Sequence, residues 1–145
     1  MTPARLVGIN HVALEVGDVD EALEFYRSFL EFPLRGRVRG MAFLDAGDQF
    51  LAISEGRRQG PDDDRHFGVV VDDAGAVRDA LRDAGIQPMR GRGLRVRDPW
   101  GNILEIVDYR AVQFLKAPSV LAGMGLGELE KTDEARRELS DKGLA

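Results

Sequence analysis

The sequence contains no cysteine and only two histidines, His11 and His66. The absence of cysteine excludes a disulfide scaffold, a thiolate zinc site and a cysteine nucleophile. Two histidines are too few for a three-histidine metal site in one chain. They are also too few for a two-histidine metal site with a separate catalytic histidine.

The sequence also has no excess of positive charge and no long apolar run. The chain has 20 lysines and arginines against 25 acidic residues, a net charge of −5, which does not favour nucleic-acid binding. No apolar run is long enough to span a membrane, and residues 1–7 lack the apolar stretch of a signal peptide. With 145 residues, 43% hydrophobic and 31% charged, the chain fits one globular domain. We predict a cytoplasmic protein with neither a nucleic-acid nor a membrane partner.

Hydrophobic periodicity predicts a strand, a helix and three further strands in residues 8–55. The strand at 9–16 alternates apolar and other residues, and Asp18 is a good N-cap for a helix that runs to about Glu31. The remaining strands fall between residues 34 and 54, where short apolar or alternating stretches are separated by turn residues.

The same order of elements is predicted a second time, in residues 66–109. Strands are expected at 88–92, 94–97 and 103–109, after a helix capped by Asp73. An offset of 55 residues (66 − 11) relates the early parts of the two units, and one of 53 (98 − 45) relates their later parts. We interpret the two units as a duplication.

Residues 110–145 lie outside this repeat. Pro118 is suited to open a short helix, and Thr132 to cap another whose weak apolar face contains Ala135 and Leu139. We predict a C-terminal helical extension that packs on the body or on a partner, with a disordered tail as the alternative.

Three side chains with metal-binding chemistry are predicted on the strand faces that point away from the helices. The apolar residues of each strand must face the helices, which turns His11, His66 and Glu105 to the opposite face. Two imidazoles and one carboxylate suit a divalent transition metal, and three protein ligands leave positions open for substrate. The repeat partner of Glu105 is Ala52, so a second carboxylate is missing.

The same faces supply candidate pocket residues. The predicted walls are Phe50, Ala52, Ser54 and Val107, and Tyr109 is a candidate catalytic hydrogen-bond donor or a further wall. A lone histidine near a strand start is often only a surface residue, so a vestigial site that binds no metal stays open. We interpret the alternating arginines at 35–39 and 90–97 as charge that protects exposed strand edges, with an anionic-substrate site as the alternative.

Four segments resemble one known family, the vicinal oxygen chelate superfamily of glyoxalases, bleomycin-resistance proteins, fosfomycin-resistance thiol transferases and extradiol dioxygenases. The resemblance runs from about Gly8 to Tyr109. It rests on INHVALEV at 9–16, DVDEALEFY at 18–26, the strand that opens with His66, and DPWGNILEIV at 98–107, the most specific of them.

The resemblance implies an α+β fold in which two paired βαβββ modules form a cupped mixed sheet, with helices on its outer face. The family-like domain is then 1–109, with modules at about 8–55 and 66–109, followed by the extension at 110–145. The resemblance also implies a homodimer and metal ligands at His11, His66 and Glu105.

The function expected from these features is that of a divalent-metal-dependent enzyme acting on a small oxygen-chelating substrate. The ion is expected to be zinc, manganese, nickel or iron(II), and the reaction that of a lyase, isomerase, transferase or dioxygenase. The alternative is a metal-free protein that binds a drug or metabolite, as bleomycin-resistance proteins do.

Overall fold

The structure, a computed structural model, describes residues 2–145. Its strands are β1 (His11–Val16), β2 (Leu34–Val38), β3 (Met41–Asp45), β4 (Phe50–Glu55), β5 (His66–Val71), β6 (Leu94–Arg97) and β7 (Ile103–Asp108). Its helices are α1 (Val19–Arg27), α2 (Ala74–Asp83), α3 (Pro118–Gly123) and α4 (Asp133–Asp141), with one 3-10 turn at Tyr109–Ala111. One sheet has the order β1–β4–β3–β2 and the other the order β5–β7–β6. The predicted α+β class, with two paired modules and C-terminal helices, is confirmed.

The duplication is visible in the register of the strands. In each module the first strand pairs in parallel with the last: His11 lies opposite Phe50, and His66 opposite Ile103. The two histidines differ by 55 positions (66 − 11) and their partners by 53 (103 − 50), which are the offsets expected from the sequence. The repeat therefore places the two histidines at equivalent positions of two equivalent sheets.

Both long helices of the body begin at the predicted caps. The carboxylate of Asp18 accepts a hydrogen bond from the Glu21 amide at 2.8 Å, and that of Asp73 from the Ala76 amide at 3.0 Å. Helix α1 ends at Arg27, earlier than predicted, because the Ser28 hydroxyl donates to the Phe25 carbonyl at 2.6 Å and competes with further helical turns. Within residues 2–145, no helix has the length and apolarity needed to cross a membrane.

One core is shared by both modules. The apolar faces of α1 and α2 are buried together against strands of both sheets, so neither module has a separate core. The largest side chains with almost no exposed surface are Tyr26, Ile53, Leu81, Ile103 and Leu104 in the body and Leu139 in the extension.

The strand predicted at 88–92 does not form, so the second module is βαββ. The Met89 amide still donates to the Arg95 carbonyl at 2.8 Å. Pro88, however, has no amide hydrogen to donate to a ladder. Gly91 and Gly93 have φ angles of 117° and 73°, which interrupt the extended backbone. The matching glycine of the first module, Gly36, lies within β2 and has no positive φ, so the repeat alone does not distinguish the two segments.

The DPWGN turn joins the two modules through Asp98, which is only 3% exposed. Its carboxylate accepts hydrogen bonds from the Tyr26 hydroxyl at 2.8 Å, the Trp100 and Asn102 amides and the Asn102 side chain. Asn102 in turn donates to the Glu15 carbonyl at 2.9 Å. Burial, and then the charge of Asp98, raise the pKa of Tyr26 well above its ordinary value, so its hydroxyl keeps the proton that it donates.

The extension packs on both modules. Thr132 caps helix α4 as predicted, and Ala135 and Leu139 are each 1% exposed. Near the first module, Lys116 forms an ion pair with Asp48 in the β3–β4 turn. Near the second, the Lys131 ammonium donates to the Tyr109 carbonyl. The extension is thus ordered on the body of its own chain.

Candidate metal centre

His66 and Glu105 lie side by side on the second sheet. Glu105 on β7 is in register with Gly68 on β5, two positions after His66, so the side chains of His66 and Glu105 lie on the same face of the sheet. The Nε2 atom of His66 is 3.1 Å from Oε2 of Glu105, and the two side chains are 30% and 28% exposed. The pair is therefore accessible from outside.

The partners of His66 determine which ring nitrogen carries the proton. Nδ1 is 2.6 Å from the Asp64 carbonyl oxygen, which can only accept, so Nδ1 donates. Nε2 lies 3.2 Å from Nη2 of Arg95, which can only donate, and 3.1 Å from Oε2 of Glu105, so in the neutral ring Nε2 accepts from Arg95. A histidine with Nδ1–H bound to a carbonyl and a free lone pair on Nε2 has the orientation typical of a metal ligand.

The His66–Glu105 pair fits a divalent ion by its donor chemistry. When the ring is neutral with its proton on Nδ1, both facing atoms, Nε2 and Oε2, are acceptors, and two acceptors 3.1 Å apart repel each other unless a cation lies near both. Metal–nitrogen and metal–oxygen bonds of about 2.1 Å place adjacent donors on one ion at roughly this separation. An imidazole and a carboxylate therefore offer two neighbouring ligand positions.

Arg95 is a member of this site that the sequence did not reveal. It lies directly opposite Glu105 in the β6–β7 ladder. Its Nη2 is 3.6 Å from Oε2 of Glu105, and its Nη1 is 3.2 Å from the Asp64 carboxylate. The predicted role in protecting a strand edge is wrong for this arginine, because its guanidinium points to the His66–Glu105 pair. The signal that could have found it is its position opposite Glu105 in the predicted hairpin.

His11 lies apart from the other two predicted ligands. It starts β1 in the other sheet, is exposed, and stacks on Phe50 with ring centroids 4.8 Å apart. Its Nδ1 is 2.8 Å from the Asn10 side-chain oxygen, which leaves Nε2 free if Nδ1 donates. Across residues 2–145, no three histidine, aspartate or glutamate side chains form a group that could hold a metal. The structure thus brings together two of the three residues within one chain.

The predicted pocket residues are divided between the two sheets. Phe50, Ala52 and Ser54 lie in β4. Phe50 contacts His11, and Ala52, which is 3% exposed, is in register with Ala13 on β1. Val107 is half-buried on β7, two positions after Glu105. A cleft of about 360 Å³ lies where the edge strands β1 and β5 approach each other, and His66 forms part of its wall.

Tyr109 is not on the strand predicted for it, because β7 ends at Asp108. The Asp108 side chain accepts from the Arg110 amide at 2.9 Å and starts a 3-10 turn. The Tyr109 ring is 5% exposed, and the Lys131 ammonium lies 3.5 Å from its centroid. Its catalytic role stays a prediction, and burial beneath the extension does not support it.

These features define a class of two-module α+β proteins with a histidine–glutamate pair on the second module. A family model described as the Glyoxalase/Bleomycin resistance protein/Dioxygenase superfamily matches residues 8–106, which is more than half of the chain. The chain belongs to this superfamily, which confirms the resemblance noted in the sequence. The extension lies outside the matched residues.

Solved structures with the same fold include three of related description. A glyoxalase family protein from Bacillus anthracis is 22% identical with a TM-score of 0.62, covering 74% of this chain and 98% of its own. A lactoylglutathione lyase from Agrobacterium tumefaciens is 21% identical with a TM-score of 0.59, covering 72% and 96%. The fosfomycin resistance protein FosX from Mesorhizobium loti is 16% identical with a TM-score of 0.60, covering 71% and 92%. At these identities the likeness shows the fold alone.

Proposed function

We propose that this protein is a divalent-metal-dependent enzyme that acts on a small oxygen-chelating substrate, with His11, His66 and Glu105 as the protein ligands. The observation that carries the proposal is the 3.1 Å approach of His66 Nε2 to Glu105 Oε2, with Nδ1 of the same ring held by a carbonyl. A bound ion would act as a Lewis acid that stabilises negative charge developing on substrate oxygens. The proposal covers the lyase, isomerase, transferase and dioxygenase reactions that need such charge stabilisation. It also takes the protein to be a cytoplasmic homodimer.

The third ligand is proposed to come from a second copy of the chain. His11 is exposed at the start of an edge strand, and His66 starts the equivalent edge strand of the second sheet. The two histidines occupy equivalent repeat positions, so joining the first sheet of one copy to the second sheet of another would bring them to one centre. His11 of one subunit would then complete the His66–Glu105 pair of its neighbour.

The residues of this chain have separate tasks in the proposed reaction. His66 and Glu105 provide two ligand atoms, and Phe50, which stacks on His11, provides an apolar wall for the substrate. With both histidines engaged as ligands, no histidine is left to move a proton. Glu105 has a second oxygen, Oε1, which faces Gly93 and not His66, and we assign proton transfer to this carboxylate.

Metal content is the direct test of the proposal. Protein purified without chelators is expected to hold one ion per chain after loading with zinc, manganese, nickel or iron(II). The His11→Gln, His66→Gln and Glu105→Gln variants are each expected to bind at least about 100-fold more weakly, since losing a direct ligand costs more than losing a residue that orients one. The measurement is isothermal titration, with elemental analysis of the dialysed protein.

Glu24→Gln is the matched control, because Glu24 is an exposed carboxylate on the outer helix α1. It is expected to bind metal as the wild type does. A wild type that takes up none of the four ions would contradict the proposal and favour the alternative, a metal-free binding protein. Arg95 gives that alternative a physical basis, since it supplies a positive charge near Glu105 without any metal.

A heterodimer of two defective chains tests whether the site spans two subunits. Co-expression of His11→Gln and Glu105→Gln chains with different tags allows the mixed dimer to be purified. One of its two sites would combine the intact His11 of one chain with the intact His66 and Glu105 of the other. We expect about half an ion per chain in the mixed dimer and almost none in either parent. An empty mixed dimer would place the whole site within one chain.

A further inference from the structure

Arg95 makes three polar contacts, all of them with groups of the candidate metal centre. Its Nη2 lies 3.2 Å from Nε2 of His66 and 3.6 Å from Oε2 of Glu105, and its Nη1 lies 3.2 Å from the Asp64 carboxylate. The side chain is 26% exposed. Its Nε is buried and has no hydrogen-bond partner among the described residues, so these terminal contacts hold the guanidinium. The arginine therefore depends on the same atoms that we assign as metal ligands.

One lone pair cannot serve two cations at the same time. In the neutral ring whose Nδ1–H donates to the Asp64 carbonyl, Nε2 of His66 has a single lone pair in the ring plane. A hydrogen bond from Arg95 uses this lone pair, and a metal ion would need it as well. A guanidinium within about 4 Å of a divalent ion is also repelled by it, since both carry positive charge. Metal binding at His66 therefore requires Arg95 to move away from Nε2.

The surroundings allow that movement. Asp64 lies in the loop before β5, and its side chain is 88% exposed. Because Arg95 reaches Asp64 through Nη1 and His66 through Nη2, the Asp64 contact can persist while the His66 contact breaks. The guanidinium then keeps one counter-charge after it has left the pair.

We propose that Arg95 competes with the metal ion for the same two atoms. Either its guanidinium or a divalent cation interacts with His66 Nε2 and Glu105 Oε2, but not both at once. The inference rests on the proposed function, because it takes these two residues as ligands. Arg95 stabilises the pair when no ion is bound and lowers the affinity for the ion by the free energy needed to displace it.

Substitution of Arg95 is expected to have opposite effects on metal affinity and on the stability of the metal-free protein. In Arg95→Gln the competing charge is gone, and zinc is expected to bind about tenfold more tightly, within the usual range of coupling between two sites. Without metal, the same variant is expected to melt at a lower temperature than the wild type, because two facing acceptors lose their cation. A purely structural arginine would lower both the melting temperature and the metal affinity.

The test is a zinc titration by calorimetry against a competing chelator, with melting curves of chelator-treated protein. Arg95→Lys, which keeps the charge, is expected to bind zinc with near wild-type affinity. Arg92→Gln is the matched control, because Arg92 is an exposed arginine three positions away. Equal or weaker zinc binding by Arg95→Gln, in a wild type that does bind zinc, would overturn this inference and leave the proposed function intact. Absence of zinc binding in every variant and the wild type would overturn both.

Discussion

Replacing Asp98 with alanine is expected to lower the free energy of unfolding by about 4 kcal/mol. The substitution removes the acceptor of four hydrogen bonds in a site that is 3% exposed. The Tyr26 hydroxyl and the Asn102 amide would be left buried without a partner, and each unsatisfied buried donor costs about 1–3 kcal/mol. For a chain of this length, the melting temperature should fall by roughly 10 °C. Urea denaturation at neutral pH measures the difference directly.

Two further variants separate the contribution of the network from that of a lost charge. Tyr26→Phe removes one of the four hydrogen bonds and keeps the ring, so it is expected to cost about 1 kcal/mol. Asp63→Ala removes a carboxylate from an exposed loop position and is expected to change stability by less than about 0.5 kcal/mol. If Asp98→Ala unfolded at the same urea concentration as Asp63→Ala, the role of Asp98 in joining the modules would be wrong.

The Asp98 network also explains the structural role of the DPWGN turn, the first half of the most specific sequence motif. Its aspartate, glycine and asparagine form the turn that joins the second module to the end of β1 and to Tyr26. Trp100, in the middle of the turn, lies against Gly17, where an added Cβ would overlap its indole ring. The motif therefore predicted the fold because it is needed to assemble the two modules.

The fold could be predicted because its signals are local or repeated. Asp18, Asp73 and Thr132 cap helices through contacts within three residues, so sequence alone places them. The duplication was readable for the same reason, since each histidine marks the start of an equivalent strand. The predicted strand at 88–92 does not form because Gly91 has a left-handed backbone that its repeat partner Gly36 does not share, a backbone property that an offset comparison does not reveal.

The candidate site could be predicted only in part, because part of it depends on directions that strand patterns do not fix. The alternation of side chains along each strand predicted the sheet face on which His66 and Glu105 lie. It did not show that Arg95 turns its guanidinium to them, since that depends on which residue lies opposite in the β6–β7 ladder. Tyr109 was misplaced because Asp108 ends the strand with a side-chain cap on the next turn. The partners proposed for His11 belong to a second subunit, about which a single chain carries no direct pattern.

Replacing the glycine of the DPWGN turn is expected to have the second large effect on stability. Gly101 has a φ of 96°, and an added Cβ would overlap the Pro61 backbone and lie 2.5 Å from the Pro61 Cβ. We expect Gly101→Ala to lower the free energy of unfolding by about 4 kcal/mol, the sum of a left-handed backbone strain of about 1–3 kcal/mol and an overpacking cost of similar size. The neighbouring contacts offer little room to relax, because the Gly101 carbonyl accepts from the Asp62 amide at 3.0 Å.

Gly56 allows the two costs to be measured separately. Its φ of 101° almost equals that of Gly101, but no atom lies within 4 Å of an added Cβ. Gly56→Ala should therefore show the backbone strain alone, and Gly101→Ala should exceed it by about 2 kcal/mol in urea denaturation. Pro61 also begins the loop whose Asp64 carbonyl holds Nδ1 of His66. Displacing this loop should weaken zinc binding in Gly101→Ala and leave it unchanged in Gly56→Ala. Equal stabilities of the two variants would show that the Pro61 loop yields freely, and the turn would then have no part in orienting His66.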